Sequence, residues 1–376
     1  MNKTFDPLFT PFVTEKLTLK NRFVMPAMTR AFSMNGVPGD DVAQYYRRRA
    51  EHEVGLIITE GTVINDPASS AHPNNPRFYG DDALKGWAEV VKEVHEAGGK
   101  IVPQLWHVGM TRVANDIWTA KPDDLPNPGV PAVGPSGIEV YTLEQVGETL
   151  TIDKIQAIIA AFAQAASEAK RLGFDGVEIH GAHSYLIDQF FWEKTNKRTD
   201  KYGGDFVQRT RFAVEVIEAV RQAVGPDFPI IFRLSQWKYG ESRSNLVNSP
   251  EELAMFLQPL VEAGVDIFHA STYRFHKPEF AGSDLNLAGW IKKLTEKPTI
   301  SIGSVGLVND LTAASVEDSV DANLDKLARK IDNEEFDLIG VGRALLADPA
   351  WVTKLRNGQK DEMIPFVFPD SLATLS

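Results

Sequence analysis

The sequence predicts an α/β fold, one (β/α)8 TIM-barrel domain across residues 1–376, and three observations predict it. Short β-branched apolar runs occur eight times along the chain, and each ends at a polar or glycine residue. Most are followed by a stretch with the periodicity of a buried helix face, the alternation expected of a parallel sheet covered on both sides. Eight such units in roughly 340 residues fit a closed barrel better than the alternative, an open doubly wound sheet with a small second domain.

In chain order, the segment 13–21, with alternating Val13, Leu17 and Leu19, reads as an N-terminal hairpin capping the barrel bottom. Barrel strands are expected at 22–27, 55–59, 100–106, 176–180, 230–235, 266–271, 298–303 and 337–341. Within 153–171, Ile155, Ile158, Ile159, Phe162, Ala166 and Ala169 follow the spacing of one helix face, and Thr151 is placed to cap it. Ala213, Val216, Ile217 and Val220 repeat the pattern until Gly225-Pro226 stops it. The Pro/Gly-rich stretch 107–150 is too long for an ordinary βα loop, so a long excursion after strand three is expected, of the kind that often carries function or covers a site.

Composition narrows the chemistry. The chain has 39 Lys+Arg against 51 Asp+Glu, a net charge of −12, and no cysteine. Disulfides, iron–sulfur clusters, thiolate zinc and a cysteine nucleophile are excluded within these residues. The acidic balance argues against nucleic acid and anionic membranes as partners. With no apolar run of about 18 residues and no leader-like start, the expected location is cytoplasmic, as a monomer or homo-oligomer.

In such a barrel the site lies at the carboxyl ends of the strands. Polar groups converge there from seven of the eight runs: Pro26-Ala27-Met28-Thr29-Arg30, Glu60-Gly61-Thr62, Gln104 to His107, His180 to Tyr185, Arg233, Gly303-Ser304, and Gly342-Arg343.

These strand ends resemble the Old Yellow Enzyme family of FMN-dependent ene-reductases. The stretches that carry the resemblance are Asn-Arg-Phe-Val-Met-Pro-Ala-Met-Thr-Arg at 21–30, Gly-Leu-Ile-Ile-Thr-Glu-Gly-Thr at 55–62 and Gln-Leu-Trp-His-Val-Gly at 104–109. They continue with Gly-Val-Glu-Ile-His-Gly-Ala-His-Ser-Tyr-Leu at 176–186, Thr-Asn-Lys-Arg-Thr-Asp-Lys-Tyr-Gly-Gly at 195–204 and Val-Gly-Arg-Ala-Leu-Leu-Ala-Asp-Pro at 341–349. The resemblance runs from about residue 5 to 351, and Thr29 matches the branch that carries threonine, not cysteine, beside the flavin.

The resemblance implies a tightly but non-covalently bound FMN and NADPH or NADH as a transient reductant. Backbone N–H groups of Gly303, Ser304, Gly342 and Arg343 would cradle the phosphate, with the Arg343 guanidinium adding charge. Gln104 suits the flavin N3–H and C2 carbonyl, and Arg233 supplies a fixed cation for the reduced anion. Thr29 would bond the C4 carbonyl, while Pro26, Ala27 and Gly61 contact the ring through backbone. His180 and His183, three residues apart as on a helical turn, would hold a substrate carbonyl, Tyr185 would protonate the α-carbon, and Trp106 would shape the pocket. The substrates implied are small enones or enals, with nitro or nitrate-ester compounds at the same site as the alternative.

Other readings stand beside these. Gln104 and Arg233 could form a structural network, Tyr185 could be a core aromatic, and His180 with His183 could bind a metal, although no carboxylate stands at motif spacing and none is assigned. A flavin-free phosphate-binding lyase or hydrolase is the alternative from another class. No dinucleotide fingerprint is present, and the family needs none because the nicotinamide uses the flavin pocket itself. Arg198, Asp200, Tyr202 and Gly203-Gly204 read as an ordered loop, and His52, His72, His95, His269 and His276 as surface or structural residues. The basic, aromatic stretch 271–280 departs from the family, which makes Tyr273 and Arg274 candidates for substrate or nicotinamide specificity. The last twenty residues have no assigned place.

Overall fold

The computed structural model describes residues 3–114, 119–238, 244–307 and 324–376. The expected runs form eight strands: β1 (Phe23–Met25), β2 (Leu56–Val63), β3 (Ile101–Trp106), β4 (Val177–His180), β5 (Ile230–Ser235), β6 (Ile267–Ser271), β7 (Thr299–Ile302) and β8 (Leu338–Gly340). Each pairs in parallel with its sequence neighbours, and β8 returns to β1, so the sheet is a closed barrel. Closure overturns the open-sheet alternative.

The bottom of the barrel is apolar. Val24, Leu56, Ile58, Val102, Ile231, Ile267, Ile300 and Leu338 fill its interior together with Phe12, Leu17 and Leu19 from a short antiparallel hairpin, Phe12–Val13 against Thr18–Leu19. Each large aliphatic side chain buried here contributes about 1.5–3 kcal/mol. The expected alternation is off by one position: Val13 is 68% exposed, and Phe12 takes its place. The register explains this, because Phe12 pairs with Leu19 on the inner face while Val13 pairs with Thr18 on the outer.

Outside the barrel, the helix Ile152–Leu172 starts as expected, with the Thr151 hydroxyl accepting from Lys154 N at 3.2 Å, and ends at Gly173 in the left-handed region. It packs beside Arg211–Val224, whose stop is Gly225. No described helix is long and apolar enough to cross a membrane.

Two segments shape the upper end. The excursion after β3, of which residues 115–118 lie outside the described residues, is tied down by buried Arg112, whose guanidinium reaches the carbonyls of Ser70, Pro126 and Asn127. The C-terminal residues, unplaced from sequence, return to the loop after β1, where Arg30 donates to Leu372 O at 3.1 Å and Thr374 O at 2.7 Å. Backbone carbonyls accept these bonds, so no side-chain pattern announces them.

Candidate active site

A polar layer lies above the apolar plug. Register aligns Gln104 with Glu178 and His269 with Arg233, turning these side chains into the barrel. Gln104 Nε2 donates to Glu178 Oε1 at 2.7 Å, and His269 Nδ1 lies 2.6 Å from Glu178 Oε2. Burial opposes the charge of Glu178, but His269, Arg233 and Gln104 outweigh it and hold the carboxyl below its usual value. Burial also lowers His269, which Glu178 only partly offsets. The pair is therefore a carboxylate accepting from a neutral imidazole, with the fixed charge of Arg233 as its counterion. Arg233 Nη1 also donates to Ala27 O at 3.3 Å, linking β5 to the loop after β1.

That loop carries buried Pro26 and half-buried Ala27 and Thr29. It is held by Glu60, whose Oε2 accepts from both Arg30 N and Ala31 N at 2.9 Å. The register shift between Ile58 and Gly61 sets this stretch of β2. Gly61 itself must lack a side chain, since a Cβ would stand 2.5 Å from the Trp106 ring.

At the mouth, the rings of Trp106, Tyr185, His180, His183, Trp237 and Tyr273 form one continuous arc across the ends of β3 to β6. Successive centroids lie 4.8, 4.9, 5.2, 4.6 and 5.1 Å apart. The two histidines do come together, but not on a helical turn: His183 and Ser184 are left-handed, at φ 61° and 56°, and the helix begins only at Leu186. The turn is pinned by His183 N to Ser235 Oγ at 3.1 Å and by Ser184 N to Asp188 Oδ2 at 2.7 Å. Asp188 is in turn paired with buried Lys238.

Burial, reinforced by Arg233, pushes both imidazoles well below their ordinary value, so both are neutral. Ala182 N points at His180 Nδ1 at 3.4 Å, which leaves Nε2 to carry the proton. His183 Nε2 lies 2.8 Å from Ser271 Oγ, a hydroxyl able to donate to it and so leave the proton on Nδ1. Among the described residues, no group of three or more His, Cys, Asp or Glu could hold a metal.

On the β7–β8 side, Ser304 Oγ donates to Tyr273 O at 2.9 Å and Arg343 Nη2 donates to Ser304 Oγ at 3.3 Å, which brings the two glycine pairs together. A Cβ on Gly303, at φ 134°, would meet Thr272 O at 2.6 Å, so the chain approaches itself here as closely as glycine permits. This narrow turn beside a guanidinium fits an anionic phosphate. The Trp106 Nε1 donor is buried without a hydrogen-bond partner among the described residues, which fits a polar molecule held beside the ring.

Glu178, Ser271 and Trp237 have no assigned role in the sequence reading, Glu60 appears there only as a polar strand end, and His269, read there as surface or structural, is buried against Glu178. Glu178 stands two residues before His180, and inward alternation along β4 was the available signal.

A profile of the NADH:flavin oxidoreductase / NADH oxidase family matches residues 7–362. An NADH oxidase of Thermoanaerobacter brockii is 33% identical over 369 residues, covering 96% of this chain and 52% of that protein. The chain thus spans about half its length. An NADPH dehydrogenase of Clostridium acetobutylicum is 31% identical, covering 96% of this chain and 98% of that protein. Among solved structures, Old Yellow Enzyme from Pichia sp. AKU4542 superimposes with a TM-score of 0.79 at 27% identity, over 97% of this chain and 90% of the other.

Proposed function

The chain belongs to the NADH:flavin oxidoreductase / NADH oxidase family, and from that premise we propose that it is an NAD(P)H-dependent, FMN-containing reductase of small α,β-unsaturated carbonyl compounds. FMN, when bound, would supply the two-electron chemistry by which hydride from NAD(P)H reaches the β-carbon of the alkene. Gly303, Ser304, Gly342 and Arg343 would hold its phosphate, Gln104 and Arg233 the polar edge of its ring, and Pro26, Ala27, Thr29 and Gly61 the rest.

The chain's own work is proton placement. His180 Nε2–H and His183, as neutral donors, stabilise the negative charge that grows on the substrate carbonyl oxygen. Tyr185, its ring 4.9 Å from that of His180, delivers the proton to the α-carbon. Trp106, edge-on to Tyr185, and Tyr273, stacked on Trp237, bound the substrate space. The observation that carries this reading is the neutral histidine pair beside Tyr185 above a buried carboxylate–guanidinium layer.

Purified protein should be yellow, and Tyr185→Phe should slow cyclohexenone reduction far more than nitrate-ester reduction. A colourless protein that takes up no FMN would sink the proposal. Equal effects on both substrates would remove Tyr185 as the proton donor.

A further inference from the structure

Glu178 is 0% exposed, and its two oxygens serve different partners, Oε1 accepting from Gln104 Nε2 at 2.7 Å and Oε2 lying 2.6 Å from His269 Nδ1. On the reading that FMN lies against Gln104, we propose that Glu178 is a positioning residue: it fixes which way the Gln104 amide faces and, by opposing Arg233, sets how strongly the flavin is held in its reduced form.

A primary amide can turn end for end, exchanging a donor edge for an acceptor edge with almost no change of shape. An ionised carboxylate only accepts, so it selects one orientation. The Gln104 NH2 group turns to β4, and its carbonyl oxygen is left to accept from a ring N–H, with one amide proton to spare. An amide in place of Glu178, able both to donate and to accept, would leave both orientations available.

The second effect is electrostatic. Arg233 and Glu178 sense each other's charge across the barrel interior, so the cation offered to the flavin edge is already partly balanced from behind. Removing the negative charge leaves Arg233 undiminished and favours the anionic reduced ring. Knitting β3, β4 and β6 together needs no buried charge, since apolar side chains do this in the layer below. The surroundings also keep His269 Nε2 buried without a hydrogen-bond partner among the described residues, so His269 serves Glu178 through Nδ1 alone.

The test compares midpoint potentials of FMN-loaded full-length protein, measured by dye-linked reductive titration, in wild type, Glu178→Gln and the swap Gln104→Glu/Glu178→Gln. Glu178→Gln should favour reduction about tenfold, a rise of about 30 mV for a two-electron couple. The swap keeps an amide–carboxylate bond but moves the charge to the flavin side, so its potential should fall below wild type. Opposite signs cannot come from loosened packing. Loaded variants with wild-type potentials overturn the role of Glu178 alone, whereas a wild type that binds no FMN overturns the reading beneath it. If Glu178→Gln does not fold, the downward shift of the swap decides. If neither variant folds, Glu178 is structural and the proposal fails.

Discussion

Trp237 lies flat on His183, their ring centroids 4.6 Å apart and their planes 16° from parallel. Trp237 therefore holds the plane of an imidazole that is itself strained into a left-handed turn. Trp237→Leu should weaken binding of a phenolic ligand by about 1 kcal/mol, roughly fivefold. In a His183→Ala background the same change should have almost no effect. Titration of ligand-induced visible absorbance in the four proteins of that cycle measures the coupling, and additive losses would refute it.

Lys238 and Asp188 form an ion pair with side chains 1% and 0% exposed, directly beneath the turn that carries His183 and Tyr185. Breaking one side leaves a buried charge alone. Lys238→Met should cost about 3–5 kcal/mol in denaturant unfolding, and adding Asp188→Asn should recover much of it. A Lys238→Met protein of wild-type stability would contradict the burial seen here.

Burial pushes the Glu60 carboxyl from 4.5 up to about 7, despite its bonds to Ala31 N and Arg30 N and the charge of Arg30. A carboxyl with a raised folded-state value favours the fold fully below its unfolded value, and this contribution is lost as pH rises through the folded one. Stability should therefore decline between pH 4.5 and pH 7 by about 3 kcal/mol from this group. In Glu60→Gln that part of the slope should be absent, as read from urea midpoints across the range.

A Cβ on Gly303 would collide with backbone, Thr272 O at 2.6 Å and Arg274 N at 2.7 Å, and no side-chain rotation relieves it. Gly303→Ala should lower FMN affinity at least tenfold in a fluorescence titration while far-UV circular dichroism stays unchanged. Arg343→Met should also weaken FMN, and more steeply at low salt, because it removes a charge and not a shape.

The barrel was legible because each strand is a short β-branched run buried on both faces, a pattern with few other meanings. Of the residues named from strand ends and the loop after β6, Trp106, His180, His183, Tyr185 and Tyr273 lie in one arc of rings. Lost from view were relations across the barrel: Glu178 contacts Gln104 and His269 at sequence separations of 74 and 91 residues, with nothing local to mark them. The hairpin erred at Val13 because a two-residue strand is too short for alternation to establish its phase. The i, i+3 spacing of the histidine pair predicts a helical turn, yet two left-handed residues achieve the same meeting.

Among the described residues, the plug formed by Phe12, Leu17 and Leu19 stoppers the lower end of the barrel and leaves entry to the upper end. Under the proposed chemistry, electron donor and electron acceptor queue at the same opening and neither can pass behind the other. Initial-rate plots against enone at several fixed NAD(P)H concentrations should then give parallel lines, and excess enone should slow the enzyme by occupying the doorway before the donor does.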